Sequence, residues 1–534
     1  MLISGGSGAL AHEHHGGDSG RPDGQVEKFG TIRMPISCAP AVQRPFERGV
    51  ALLHSFWYEE AEKQFKAVAE ADPSCAMAEW GLAMTEWRPF WDGMPDDRRQ
   101  AGVAAIDKAT ALQPKTDREQ RYIAALSGYM HADGAKPDKA LAAYDDAMAA
   151  LTKADPQDVE AQAFYGLGLA AETIGVDDPV PPATKALAVL EPGFRAHPYH
   201  PGFALYIIHT CDTPALARLG LPAAEKYAAT APSSAHARHM PGHIFARLGM
   251  WPEDIKSNKA SVLASQYAET HHLGGVGHQM HADEFLLYAY LQQGDTQSAL
   301  AIRNSVGPLV EHLDALPDIA SDDMAVFTSY FQIELLDIYG LETADWQAVL
   351  AMPEPPNSLT STKYYRVWAQ SIAAGHLRDG DAADAATASA KSLYDATAKE
   401  GSPISLEIQA AQATVEAWQA FAHHNDDQAL KRLGEAADIQ DRVGQAEVDI
   451  PVREMVGDML LIDQRPAEAL VQYRIALKLS PDRLNGLYHA AQAAEAAGNP
   501  VEAKALYQRL LKIARTAPSD RPELVHARAF IRSK

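Results

Sequence analysis

Cysteine is scarce: the 534-residue chain has three, Cys38, Cys75 and Cys211. That number and scatter exclude a disulfide framework and a cysteine-built zinc site. Basic charge is also short, with Lys+Arg at 47 against Asp+Glu at 70, a formal net charge of −23 and a pI near 5.3. A nucleic-acid binder would need a concentrated basic surface, so no nucleic-acid partner is expected. No run approaches roughly 18 consecutive apolar residues, so no membrane-spanning helix is expected either. The β-branched runs that mark sheets are rare, whereas alanine is abundant. With 47% hydrophobic and 22% charged residues the chain is globular, and most of it is expected to be helix.

Residues 1–30 are rich in Gly and His and lack apolar periodicity, which predicts a disordered leader. They hold neither the basic region nor the apolar stretch of a secretory signal. Ala9-Leu10-Ala11 nevertheless looks like the small-residue tail of a cleavage site, just ahead of His12-Glu13-His14-His15. Two locations therefore stay open. One is periplasmic or secreted, with an export signal lying ahead of Met1, and the other is cytoplasmic. His12, His14 and His15 form a weaker metal-binding tract of their own.

Organisation is clearest near the end of the chain. Gly457, Ala469, Tyr473 and Pro481 are separated by 12, 4 and 8 positions, and Gly49, Ala61, Phe65 and Pro73 repeat those separations. Ala469 to Ala503 spans 34 positions, Ala491 takes the place of Gly457 in the next unit, and Gly498-Asn499-Pro500 provides a turn. More worn copies occur at Ala140/Tyr144/Ala147, Ala223/Tyr227, Tyr290/Ala299 and Ala429/Leu433/Ala436. On these residues, most of the chain resembles the tetratricopeptide repeat family. The opening SCAPAVQRPFERGVALLHSFWYEEAEKQF and the portion from His197 to His281 are also similar to a group of uncharacterised, often exported bacterial repeat proteins.

The resemblance implies an all-α, right-handed superhelical solenoid of antiparallel helix pairs. Small residues would sit where helices cross, aromatics would fill the space between units, and a concave groove would bind a protein or peptide partner or a small-molecule substrate. Three departures mark the organisation. Pro89 and Pro95 interrupt one unit, residues 176–202 are too proline-rich for one uninterrupted helix, and MPEPPNS (352–358) reads as a linker. The expected arrangement is a leader (1–30), an N-terminal solenoid (31–355) with a His-rich middle, and a C-terminal solenoid (360–534).

Ten of the 21 histidines lie between His197 and His281. His236, His239 and His243 have offsets of 0, 3 and 7, which on a continuous helix bring them within about 60° of one another. Pro241 would break that helix unless it stands in a first turn. His209, His243 and His281 are 34 and 38 positions apart, so equivalent places in three successive units would aim them at one wall. With His200 and His278 they form a candidate metal set: His200, His209, His236, His239, His243, His278 and His281. Converging neutral imidazoles suit zinc, copper or iron. Met240 and Met280 would favour copper if either turned inward, and Asp212 and Asp283 are candidate acceptors behind the rings.

Other signals are weaker. Gly166-Leu167-Gly168 lacks a preceding strand and reads as close helix packing, so no nucleotide cofactor is expected. The glycines at 274–277 precede a helix and are a candidate anion loop. The Phe56, Trp57, Trp80, Trp87, Phe90 and Trp91 stretch reads as packing, with a ligand wall as the alternative. No Ser, Cys or Lys stands in the setting of an activated nucleophile, so catalytic residues remain unknown. The function expected is a binding scaffold with a histidine metal site in its groove. A metal-dependent enzyme, or a metal storage or delivery protein, is the alternative. The charge of −23 suggests that a peptide ligand would carry basic residues.

Overall fold

The computed structural model describes residues 28–91, 94–132, 137–274, 277–316, 322–355, 358, 360–399, 405–515 and 521–533. Most of the leader, including His12, His14 and His15, lies outside them. Among the described residues there is no strand, and helices follow one another from Gln43–His54 to Pro522–Ser533. Most helices pack against the next in the chain, which gives a stack of helical hairpins. None of them is long and apolar enough to cross a membrane.

The repeat residues act as their types dictate. Gln43–His54 pairs with Tyr58–Ala71, and the Phe65 ring projects between Gly49 and Gly81 of the flanking helices. A Cβ at Gly49 would stand 2.7 Å from that ring, and one at Gly81 2.5 Å from it. Gly457 and Tyr473 repeat the arrangement in the pair Val452–Ile462 and Pro466–Leu479, where the added Cβ would lie 2.6 Å from the ring. The absent side chain is what lets each aromatic enter the seam. Further on, the Asn499 side chain accepts from the Glu502 amide at 3.3 Å and starts the helix Pro500–Ile513, with Pro500 in its first turn.

The proline-rich stretch splits as its prolines require. Val180–Ala196 carries Pro181 and Pro182 in its first turn and tolerates Pro192 inside, and the helix Pro201–Thr210 starts after a break at 197–200. Gly166 and Gly168 pack against Leu190 and against Asp145 and Tyr144, as close helix packing predicts. Two cysteines depart from their sequence reading: Cys38 and Cys75 form a disulfide, while Cys211 is free and buried. Their separation of 37 residues gave no local signal. The bridge ties the segment before the first helix to the turn after the first hairpin, where the Ala39 amide also donates to Asp72 at 2.7 Å.

The buried apolar residues form two large clusters, one from Phe29 to Ala268 and one from Ala246 to Phe530. They meet near residues 246–280, within the His-rich middle. Val349 and Val367, on either side of 352–358, belong to the same cluster. Contacts from the far half close over this meeting zone. Trp251 Nε1 donates to the Asp482 carbonyl at 2.7 Å, and the Tyr288 hydroxyl donates to the Asp449 carbonyl at 2.8 Å. Arg483 is buried between Glu342 and Glu454, each at 2.8 Å. The segment 444–451 is thereby held against the histidine helices.

Two substitutions test this packing. Gly457→Ala is expected to lower stability by about 1–3 kcal/mol, as overpacking does. Removing the bridge with Cys38→Ser and Cys75→Ser is expected to lower it by about 2–4 kcal/mol. Urea midpoints check both, and an unchanged midpoint for Gly457→Ala would contradict the close approach of Tyr473.

Candidate metal centre

The histidine segment does not form one helix. Ser234 caps Ala235–His239, accepting from the Ala237 amide at 3.2 Å, and this short helix stops at Met240. Pro241 then opens Pro241–Arg247. The single stripe expected of His236, His239 and His243 is therefore broken, and the break sends the rings to different neighbours. His239 and His243 meet His281, at the start of His278–Gln292, whereas His236 turns toward His209 and His278.

His239, His243 and His281 each offer one ligand atom, and the three atoms lie within 4.8 Å of one another. His239 Nε2 and His243 Nε2 are 2.8 Å apart. Two nitrogens on one tetrahedral zinc would be about 3.3 Å apart, so little adjustment separates this geometry from a coordination sphere.

What aims the rings is visible on their other side. The Asn258 amide nitrogen donates to Asp254 Oδ1 at 2.6 Å, which leaves Asn258 Oδ1 to accept from His239 Nδ1, also at 2.6 Å. His239 is thus fixed with its lone pair on Nε2. His243 Nδ1 donates toward Asp212 at 2.8 Å and Glu447 at 2.9 Å, and His281 Nδ1 donates to Glu284 at 2.7 Å. Oxygen acceptors behind ligating imidazoles are the usual way to set tautomer and orientation. Phe285 backs all three rings, with centroids 4.7 to 5.3 Å away.

Electrostatics follow from this arrangement. Burial holds His239 neutral, well below the ordinary imidazole range. Burial also opposes charge on His243, but Asp212 and Glu447 outweigh it and raise that ring to about 10. Without a cation at the centre, the proton on His243 Nε2 points at the His239 lone pair. Burial pushes Asp212 up, yet His243 and Arg247 hold it well below the carboxylate range. Arg247 reaches Asp212 at 3.0 Å and Glu447 at 3.2 Å. Asp212, His243 and Glu447 could themselves hold an ion, but Arg247 already supplies their positive charge.

Exposure shows where this centre opens. His239 is 1% exposed, the His243 side chain 12% and the His281 side chain 24%. These are not rings on an open groove wall: Phe285 packs against all three, Phe331 lies against His281, and Glu447 of the 444–451 segment reaches His243. His281 is the most exposed of the three.

The remaining predicted ligands lie elsewhere. His209 stacks on Phe90 at 4.4 Å instead of joining His243 and His281, because its helix ends at Thr210 and points it into the aromatic stretch. His236 stands between His209 and His278, at 5.8 and 5.1 Å. Burial lowers His209 to about 3 and His278 to about 4. His200 joins His54 on Glu160, whose Oε2 accepts from both Nε2 atoms, at 3.2 and 2.8 Å. His54 Nδ1 meets the Tyr206 hydroxyl at 2.7 Å. This third group could also hold a metal, and its His200 Nδ1 is buried without a hydrogen-bond partner among the described residues. A cavity of about 980 Å³ opens on Glu160 and His200, away from the three-histidine centre.

Of the predicted acceptors, Asp212 stands behind His243, but the partner of His281 is Glu284 and not Asp283. Burial raises Asp283 to about 7. Met240 and Met280 are buried in the apolar clusters. Glu447, Asn258, Glu160 and His54 were not found from sequence as site residues. No local motif marks them, since each is brought in by tertiary packing. In the glycine loop, the Gly274 amide donates to Glu60 at 3.0 Å and is not free for an anion, while Gly275 and Val276 lie outside the described residues.

No family model matches the chain, and no curated protein matches it in sequence. Among solved structures it is similar to a human IFIT1 dimer with m7Gppp-AAAA, at 13% identity and TM-score 0.35, covering 78% of this chain and 87% of that one. The APC/C hetero-tetramer Cut9-Hcn1 matches at 12% and 0.34, covering 87% and 78%. The P58(IPK) TPR domain matches at 14% and 0.22, covering 92% and 99%. At these scores nothing about function is carried over from any of them.

Asn258→Leu removes the acceptor behind His239 and is expected to weaken metal binding by about 10- to 100-fold. Asn258→Asp, which keeps an acceptor, is expected to retain it. Competition against a chromophoric chelator reads both, and equal affinities would remove Asn258 from the centre.

Proposed function

We propose that this chain is a metal-dependent protein on a tetratricopeptide-like scaffold, with His239, His243 and His281 holding one divalent transition-metal ion. The observation that carries the reading is the pairing of three converging imidazoles with an oxygen acceptor on each Nδ1. All-imidazole ligation suits zinc, copper or iron, and selects against magnesium and calcium, which prefer oxygen.

The partial exposure of His281 favours a site with a free coordination position over a closed storage site. An ion held this way suits the activation of water for hydrolysis, or of dioxygen if it is copper or iron. The stacked-hairpin scaffold supports a binding role as well, with a protein, a peptide or a small-molecule substrate as its partner. The Cys38–Cys75 bridge fits an oxidising compartment, the setting that the exported reading requires.

Elemental analysis of purified, untagged protein is expected to show stoichiometric metal. His239→Ala with His243→Ala is expected to abolish it. His376→Ala is expected to keep it, since that ring stacks on Trp346 and Trp418 far from the centre. Metal retained by the double variant would overturn the assignment. Binding of azide or cyanide to the loaded protein would report the free position.

A further inference from the structure

A second group of buried ligand types shares no residue with the three-histidine centre. His54 ends the helix Gln43–His54, Glu160 lies in the first turn of Val159–Ala171, and His200 immediately precedes Pro201–Thr210. Three separate helices thus bring two imidazoles and a carboxylate together, with one ligand atom from each within 4.8 Å of the others. Glu160 Oε2 is 2.8 Å from His54 Nε2 and 3.2 Å from His200 Nε2, and the two ring centroids are 4.9 Å apart. Ligand atoms on one tetrahedral zinc are about 3.3 Å apart, so this spacing is close to that of a coordination sphere. Gly202 makes room for the rings: a Cβ there would lie 2.6 Å from His54 Nδ1 and 3.1 Å from His200 Cε1.

The surroundings favour a cation. All three residues are buried, the most exposed being His200 at 3%. Burial would push Glu160 up, yet His200 and His54 hold it well below the ordinary carboxylate range, so it stays charged. Among the described residues no Arg or Lys side chain pairs with it, and Arg118 is committed to Asp158 at 2.6 and 2.9 Å. The Asp212–Glu447 pair, by contrast, already has Arg247. Two ligands are also held from behind: Glu160 Oε1 accepts from the Arg33 amide at 3.4 Å, and His54 Nδ1 meets the Tyr206 hydroxyl. His200 Nδ1 has no hydrogen-bond partner among the described residues, which is rare for a buried nitrogen and leaves the group incomplete. Two imidazoles and one carboxylate suit zinc or iron(II). The cavity of about 980 Å³ that opens on Glu160 and His200 is large enough to admit a small molecule to such an ion.

We propose that His54, Glu160 and His200 hold a second divalent transition-metal ion, facing the cavity and separate from the three-histidine centre. Loading breaks two hydrogen bonds to Glu160, against one between His239 and His243, so this site is expected to bind the more weakly of the two. Added metal fills it, and metal retained on purification reports the other.

The test uses the full chain with His12, His14 and His15 replaced by Ala, stripped with chelator and titrated with zinc alone in equilibrium dialysis. Two ions per chain are expected, and Glu160→Gln is expected to lose the weaker one. One ion in both proteins would overturn the proposal and leave the three-histidine centre standing. One ion in the parent and none in Glu160→Gln would support this site and overturn that centre. Two ions in both would place the extra ion elsewhere and overturn the proposal, and no ion in either would overturn both sites. Should Glu160→Gln not fold by far-ultraviolet circular dichroism, anomalous diffraction at the zinc edge from crystals of the loaded parent decides. A peak within bonding distance of His54, Glu160 and His200 is expected, and its absence would overturn the proposal.

Discussion

A buried imidazole whose Nδ1 proton is claimed by an oxygen has one lone pair left to offer. The rings of His239, His243 and His281, each with an oxygen on Nδ1, meet where the two apolar clusters of this chain adjoin, and an ion there would take the place of the proton that His243 carries on Nε2. Asp254 orients Asn258, Asn258 orients His239, and the lone pair of His239 then points at His243 and His281. Asp212 and Glu447 hold His243, with Arg247 balancing their charge. Removing one oxygen would leave a ring free to change tautomer, so these partners matter as much as the rings themselves.

The repeat architecture makes this convergence possible by bringing distant segments close without distorting any helix. Phe65 between Gly49 and Gly81, and Tyr473 against Gly457, set the close packing of successive hairpins. The stack then curves until the 444–451 segment reaches helices some 200 positions earlier, held by Tyr288, Trp251 and Arg483. Glu447 belongs to the centre only because of that closure. The centre therefore spans both halves of the chain.

The architecture was legible in the sequence because each repeat is local: Gly, Ala, aromatic and Pro at fixed offsets are enough to specify one hairpin. The histidines were legible as a concentration, but their grouping was not. Equal spacing suggested that His209 would join His243 and His281, whereas the helix break at Met240–Pro241 and the aromatic chamber around Phe90 decide otherwise. Pro241 was visible as a break, yet which ring each side would face depends on packing. Asn258, Glu447 and the His54–Glu160–His200 group could not be read, since their partners lie 19 to 204 positions away. The Cys38–Cys75 bridge was missed for the same reason.

The central claim is that side-chain nitrogen, and not carboxylate oxygen, forms the ion's first coordination sphere. X-ray absorption at the metal edge of the purified protein tests it most directly. The account predicts a shell near 2.0–2.1 Å dominated by nitrogen, with the multiple-scattering pattern of at least three imidazoles. A shell of oxygen alone, or sulfur at about 2.3 Å, would contradict it.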